Sequence, residues 1–143
     1  MSQMPPGPPP AAPPPPPQQP PQPTGYLQLT LQGSMLTSNM ITPTVRLNGY
    51  PVQVKYGEQV IPLVPGPWHI DVHAQWLRQY GQASLDFQVA EGQATPVFYA
   101  APFHQFTSGN IGHEKQPRKG LGVLIAVMAI VAIMAFLLVF AAL

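Results

Sequence analysis

Residues 68–76 read WHIDVHAQW and carry the longest strict alternation of apolar and polar side chains in the chain. A period of two residues is typical of a β-strand with one buried face and one solvated face. The pattern predicts that Trp68 and Trp76 point into the core, together with the aliphatic residues between them. Helical periodicity appears nowhere between Gly25 and Pro102, so the sequence indicates an all-β domain.

Shorter alternating runs on both sides of this strand predict further strands. Asn48-Gly49 stands between two of them and is the strongest short signal for a hairpin turn. Residues 33–43 are expected to form a loop. In the last strand Pro96 suits an edge position, because proline lacks the N–H that a sheet ladder uses. About seven strands result, which predicts an antiparallel seven-stranded β-sandwich over residues 25–102.

Four stretches between residues 25 and 99 set out an order of turn and core residues: Gly25-Tyr-Leu-Gln-Leu29, Val45-Arg-Leu-Asn-Gly49, Ile61-Pro-Leu-Val-Pro-Gly66 and Ile70-Asp-Val72. This order resembles that of PEGA-type modules. In those modules a first strand leads to a V-x-(D/N)-G turn and then to an L-x-P-G-x-(H/W)-x-I-x-V stretch. The literal Pro-Glu-Gly-Ala element is missing here. The resemblance implies a small immunoglobulin-like or prealbumin-like sandwich that serves as a non-catalytic interaction domain.

Two non-globular segments flank the predicted domain, and the first is rich in proline. Thirteen of the 21 prolines lie in residues 1–24, which contain no Lys or Arg. Proline runs favour the extended polyproline II helix, which cannot bury apolar surface. We expect a disordered arm that acts either as a spacer or as a ligand for an aromatic-lined groove. The same composition argues against a cleaved secretory signal, which needs a basic start and an apolar run.

The second segment is the apolar run from Leu121 to Leu143, which has no charged residue and no proline. As a helix it would be ~34 Å long, enough to cross a hydrocarbon core of about 30 Å. Residues 103–120 precede it as a mobile juxtamembrane linker. The basic residues of this linker predict that the N-terminal side stays in the cytoplasm. The expectation is a tail-anchored, single-pass protein of the cell membrane, with its orientation determined by Lys115, Arg118 and Lys119.

Composition and motifs argue against an enzyme. The chain has no cysteine, so disulfides, thiolate catalysis and cysteine-ligated metals are impossible. A net charge of +1 without a basic cluster does not suit nucleic-acid binding. His69 and His73 share the outer face of one predicted strand, but they would lie about 13 Å apart, too far for one metal ion. We therefore expect no catalytic residue, metal or cofactor.

Interaction surfaces are the better candidates for function. Aromatic residues at turns or on less certain faces predict contacts with a protein partner, because such residues are favoured at interfaces. These candidate contacts are Tyr50, Tyr56, Tyr80 and Phe98. A stripe of small residues in the span predicts packing against other membrane helices. The stripe consists of Gly122, Ala126, Ala129 and Ala132.

These features predict a non-enzymatic β-sandwich adaptor or scaffold that recruits partners at the cytoplasmic face of the membrane. One alternative is an accessory structural subunit of a larger membrane complex. The plan of a proline-rich head and one span is similar to that of small actinobacterial membrane proteins, some of which are accessory subunits of respiratory supercomplexes. A third class, a small-ligand or lipid-binding module, predicts a pocket between the two sheets.

Overall fold

The computed structural model describes residues 2–34 and 41–143, so the middle of the predicted 33–43 loop lies outside the described residues. Eight strands and one helix, α1 (Leu121–Ala142), form the regular structure of this part of the chain. This part of the chain is mostly β, with eight strands where the sequence predicts about seven. The strands are β1 (Gly25–Gln32), β2 (Thr44–Leu47), β3 (Tyr50–Val52), β4 (Gly57–Leu63), β5 (Gly66–Gln75), β6 (Gln79–Val89), β7 (Ala94–Ala100) and β8 (Asn110–Gly112).

Four strands form the first sheet in the order β4-β1-β7-β8. β1 pairs antiparallel with β4, so that Leu29 lies opposite Gln59. On its other side β1 pairs parallel with β7, and Leu29 lies opposite Val97. The sheet is therefore mixed, and the prediction of a purely antiparallel fold is wrong. Alternation determines which face of a strand is buried, but it carries no information on the direction of the neighbouring strand.

β8 comes from the segment predicted as a linker, and it pairs antiparallel with the end of β7. This pairing places β7 inside the sheet. Pro96 therefore lies on an inner strand, whereas the prediction placed it on an edge strand. The ladder with β8 ends at Phe98, and the Pro96 carbonyl accepts a hydrogen bond from His113 Nδ1 at 2.8 Å instead. Proline is tolerated at this position because the ladder on that side has already ended.

The second sheet has the order β3-β2-β5-β6, and all its pairings are antiparallel. The hairpin predicted at Asn48-Gly49 joins β2 to β3, and both turn residues have positive φ angles, 49° and 84°. Two positive φ angles give the turn a twist that matches the right-handed twist of its strands. β5 and β6 form the longest pairing of this sheet, in which Trp68 lies opposite Phe87.

Buried side chains from both sheets form one hydrophobic cluster. Leu29 of β1 and Ile70 of β5 are among its fully buried members. Trp76 departs from the predicted inward pattern, because its side chain is 60% exposed. β5 ends at Gln75, and the Trp76 N–H donates to the Arg78 carbonyl at 3.2 Å. The chain is therefore already turning at Trp76, where the alternation of the strand no longer decides which way a side chain points.

The proline-rich arm and α1 leave the sheets at opposite ends. Residues 2–23 are exposed and carry neither helix nor strand. β1 begins at Gly25, where a Cβ atom would lie only 2.3 Å from the side chain of Val89 at the end of β6. At the other end, the Phe103 N–H, shortly after β7, donates to the Lys119 carbonyl at 2.9 Å. β1 and β7 therefore run from the arm toward the start of α1.

Candidate functional surface beside the helix

Arg118 fastens the segment before α1 to the end of β7. Its Nε donates to the Ala101 carbonyl at 2.8 Å, and its Nη2 donates to the Pro102 carbonyl at 3.3 Å. The guanidinium carbon also lies 4.0 Å from the centroid of the Phe103 ring. Burial lowers the pKa of Arg118, although a guanidinium stays charged in proteins. We call this arrangement the Arg118 clamp.

Further contacts hold the same segment against the sheets. The Gln32 side chain donates to the Gln116 carbonyl at 2.9 Å, and the Gln116 N–H donates to Gln32 Oε1 at 2.7 Å. The Lys119 ammonium donates to Ser108 Oγ at 2.9 Å. Lys115, by contrast, is exposed. Two of the three basic residues predicted to determine orientation thus also contact the folded part of the chain, so they have a structural role that the sequence did not reveal.

A buried tyrosine of β7 bonds to the start of β6, which in turn bonds to the loop that follows β7. Tyr99 Oη donates to the Gly81 carbonyl at 2.7 Å, and the Gly81 N–H donates to the Thr107 carbonyl at 3.0 Å. Gly81 has a φ of +67°, and a Cβ atom there would lie 2.7 Å from Tyr99 Oη. Burial raises the pKa of Tyr99 well above its usual range, so the hydroxyl remains a donor.

An open groove of about 370 Å³ lies between the β5–β6 turn and the loop 103–106. Gln105 Oε1 is buried there and finds no hydrogen-bond partner among the described residues. Arg78 lies 5.7 Å from the centroid of the Phe106 ring. The alternation pattern missed this site, although two large apolar residues in a turn, Trp76 and Leu77, were a signal for it. We call it the aromatic groove, and it is lined by Trp76, Tyr80, Phe103, His104, Gln105 and Phe106.

α1 begins directly beside the aromatic groove. Gly120 precedes the helix with a φ of 92°, and a Cβ atom there would lie 2.6 Å from the ring of His104. No residue of α1 is buried, and the helix is long and apolar enough to cross a membrane. At 3.6 residues per turn, the predicted stripe covers about 120° of its circumference. That stripe, which stays a prediction for helix packing, consists of Gly122, Ala126, Ala129 and Ala132.

The structure does not bring the four predicted partner contacts together. Tyr50 is exposed on β3, whereas Phe98 is half-buried on β7 of the other sheet. Tyr56 is half-buried, and its hydroxyl donates to a main-chain carbonyl. Tyr80 is only 3% exposed, whereas a contact with a partner requires its ring at the surface. It pairs with the buried Ala74, and directly paired residues on neighbouring strands share a face of the sheet.

His69 lies between two carboxylates on the outer face of the second sheet. Its Nδ1 is 2.5 Å from Asp86 Oδ1, and its Nε2 is 3.1 Å from Asp71 Oδ1. The hydrogen bond to Asp86, followed by that to Asp71, raises the pKa of His69 above 6.5. In residues 2–34 and 41–143, no group of three or more His, Cys, Asp or Glu side chains is placed to hold a metal ion.

Comparisons with protein families, with curated proteins and with solved structures found no match to this chain. The resemblance to PEGA-type modules therefore stays a prediction. The function must be inferred from the geometry of the chain itself, above all from the region where the sheets meet α1.

Proposed function

We propose that this chain is a non-enzymatic, single-pass membrane protein whose two sheets pack as a β-sandwich and recruit protein partners at the cytoplasmic face of the cell membrane. The connection between α1 and the sheets carries this proposal. An apolar helix without a buried residue leaves directly from the Arg118 clamp. A domain fastened in this way stays in a thin layer beside the bilayer, which raises its effective concentration for other membrane-bound proteins.

The length and surface of α1 support its role as an anchor. Its 22 residues give a helix of ~33 Å, which matches a hydrocarbon core of about 30 Å. A helix that packs in the core of a soluble domain has at least one buried face, whereas the side chains of α1 are exposed all round. A bilayer would remove this apolar surface from water.

Extraction of membranes with alkaline carbonate tests the anchor. Wild-type protein should stay in the membrane pellet. Replacing Ile130 and Ile133 with Asp places two charges near the middle of α1, each disfavoured by about 3 kcal/mol at that depth, and should release the protein. The matched variant with Leu at both positions should stay in the pellet. Release of the wild-type protein would show that α1 is not an anchor.

The basic residues before α1 support a cytoplasmic domain, because positive charge stays on the cytoplasmic side. Protease added outside intact cells should therefore leave the sheets uncut. In lysed cells the same protease should reach the sheets and digest them. Digestion of the sheets from outside the cell would show that the domain faces outward. This result would contradict the proposed orientation but not the anchoring by α1.

Recruitment of a partner is the remaining part of the proposal. Tyr50 offers the most exposed ring of the four predicted contacts, at 76%. Replacing it with Ser should weaken capture of a partner by the tagged protein in mild detergent, because tyrosine rings are favoured at interfaces. Gln53 → Ser, at another exposed position just after β3, is the control. Equal capture by both variants would remove Tyr50 from the partner surface.

An accessory structural subunit of a larger membrane complex, such as an actinobacterial respiratory supercomplex, is the second candidate. The exposure of every face of α1 favours it, because all faces are open to neighbouring helices. In this case other membrane subunits should co-purify stoichiometrically. Ala129→Leu puts a large side chain into the stripe of small residues, whereas Ile130→Leu keeps the side-chain volume. The first should therefore reduce the yield of co-purified subunits far more than the second. Purification of the lone protein would contradict this function.

A further inference from the structure

Three large apolar side chains are exposed around the aromatic groove. Trp76 is 60% exposed, Leu77 79% and Phe106 70%. Trp76 and Phe106 line the groove itself, and Leu77 follows Trp76 in the β5–β6 turn. Burying apolar surface is favourable by about 25 cal/mol for each Å² removed from water. A cluster of exposed large apolar side chains therefore marks an interaction site.

The groove lies at the level of the first residues of α1. Its loop is tied to Lys119 by the Phe103 N–H, and the ring of His104 packs against Gly120. If α1 enters the hydrocarbon core at Leu121, the headgroup layer begins at these residues. That layer is about 5–8 Å thick on each side of a bilayer. The rim of the groove therefore falls in this layer.

The charges around the groove suit lipid headgroups. Arg78 lies over the Phe106 ring, and Lys119 immediately precedes the residue that caps α1. None of the five acidic residues of the chain lines the groove. Aromatic rings and basic side chains are the two kinds of residue that anchor proteins at the membrane–water interface.

We propose that the rim of the aromatic groove docks on the bilayer surface. Trp76, Leu77 and Phe106 insert into the headgroup layer, and Arg78 and Lys119 face anionic headgroups. This inference rests on the proposed anchoring by α1, but it does not depend on which side of the membrane holds the domain. Docking gives the domain a second attachment beside the helix and thereby fixes its tilt on the membrane.

The proline-rich arm is the rival occupant, because polyproline II segments bind aromatic-lined grooves. The arm starts at the far end of the sheets, beside Val89, which pairs with Gly66 at the start of β5. β5 then runs ten residues, or about 33 Å, before it reaches the groove. The arm would have to fold back along the whole domain, whereas the bilayer already lies at the groove, so the position favours the bilayer.

Quenching of tryptophan fluorescence by brominated lipids tests the docking, since the chain has two tryptophans. Trp68 lies near the start of β5, eight residues before Trp76 and about 26 Å from it, and serves as the internal control. The full chain is reconstituted into phosphatidylcholine–phosphatidylglycerol vesicles, with or without bromine near the headgroup end of the acyl chains. Wild-type protein is compared with Trp76→Phe, so the difference between their emissions isolates Trp76. This replacement at an exposed position leaves the core untouched.

In brominated vesicles the Trp76 emission should fall roughly twofold or more, because an interfacial indole contacts the brominated segment, while the emission of Trp76→Phe stays unchanged. Equal emission of Trp76 in both kinds of vesicle overturns the docking. If brominated lipids also quench Trp68, both ends of β5 contact the bilayer and the domain lies flat on it. That result overturns the rim of the aromatic groove as the docking surface. A Trp76 emission that changes only when residues 2–23 are deleted assigns the groove to the arm and also overturns it. Vesicle flotation distinguishes the two proposals: a chain that does not float refutes the anchor and the docking together, and a floating chain without quenching refutes only the docking.

Discussion

Replacing Arg118 with lysine keeps the positive charge before α1 but dismantles the Arg118 clamp. A hydrogen bond from a charged donor contributes about 1.5–3 kcal/mol, and a partly exposed cation–π contact contributes about 0.5–1 kcal/mol. Lysine can retain one of the two carbonyl contacts, but it has neither the second donor nor the planar group that stacks on Phe103. We expect Arg118→Lys to lower the free energy of unfolding of the sheets by about 1–2 kcal/mol.

Thermal unfolding of the full chain in detergent, with Trp76→Phe in every variant, measures this loss through the emission of the half-buried Trp68. For a domain of this size, a loss of 1–2 kcal/mol lowers Tm by roughly 5–15 °C. Lys115→Gln removes a charge at an exposed position and should leave Tm unchanged. The orientation in the membrane should be the same in Arg118→Lys and in wild type, because the charge is kept. An unchanged Tm for Arg118→Lys would refute the structural role of the clamp.

Two further predictions concern the sheets. Gly81→Ala should destabilise them by about 2–4 kcal/mol in chemical denaturation, because positive φ strain adds to a clash with the Tyr99 hydroxyl. Gly92→Ala, with a similar φ of +70° but open space, should cost about 1 kcal/mol, and equal costs would contradict the close approach. The pKa of His69, followed by NMR titration, should lie above 6.5 and fall in Asp86→Asn. The pairing of His69 with Asp86 and Asp71 therefore stabilises the fold fully below pH 6.5, and this contribution is lost as pH rises through the raised pKa. A His69 pKa that does not change in Asp86→Asn would refute the pairing.

Much of the strand content could be predicted from the sequence, because it is encoded locally. The leucines of β1 and the alternating residues of β5 recur every second position, and that period directly reflects one buried face. The hairpin at Asn48-Gly49 could also be predicted, because a turn with two positive φ angles needs residues that tolerate this conformation.

The parallel pairing of β1 with β7 could not be predicted in this way. It joins segments about seventy residues apart, and no local pattern specifies such a neighbour. β8 is only three residues long and is held by pairing with β7 rather than by alternation of its own. The aromatic groove was missed for a related reason. Trp76 continues the period of β5 in sequence, but the strand has already ended there.

The parallel pairing also decides how the domain responds to mechanical force. A pull on the arm, with α1 held fixed, loads the chain at Gly25 and at the far end of β7, because the Arg118 clamp transmits the pull to Ala101. Two parallel strands pulled at opposite ends are sheared, so the seven residue pairs from Tyr26–Ala94 to Gln32–Ala100 resist together. In an antiparallel terminal pair the same pull would open the ladder one bond at a time. The fold is thus suited to bearing tension along the line from the arm to α1.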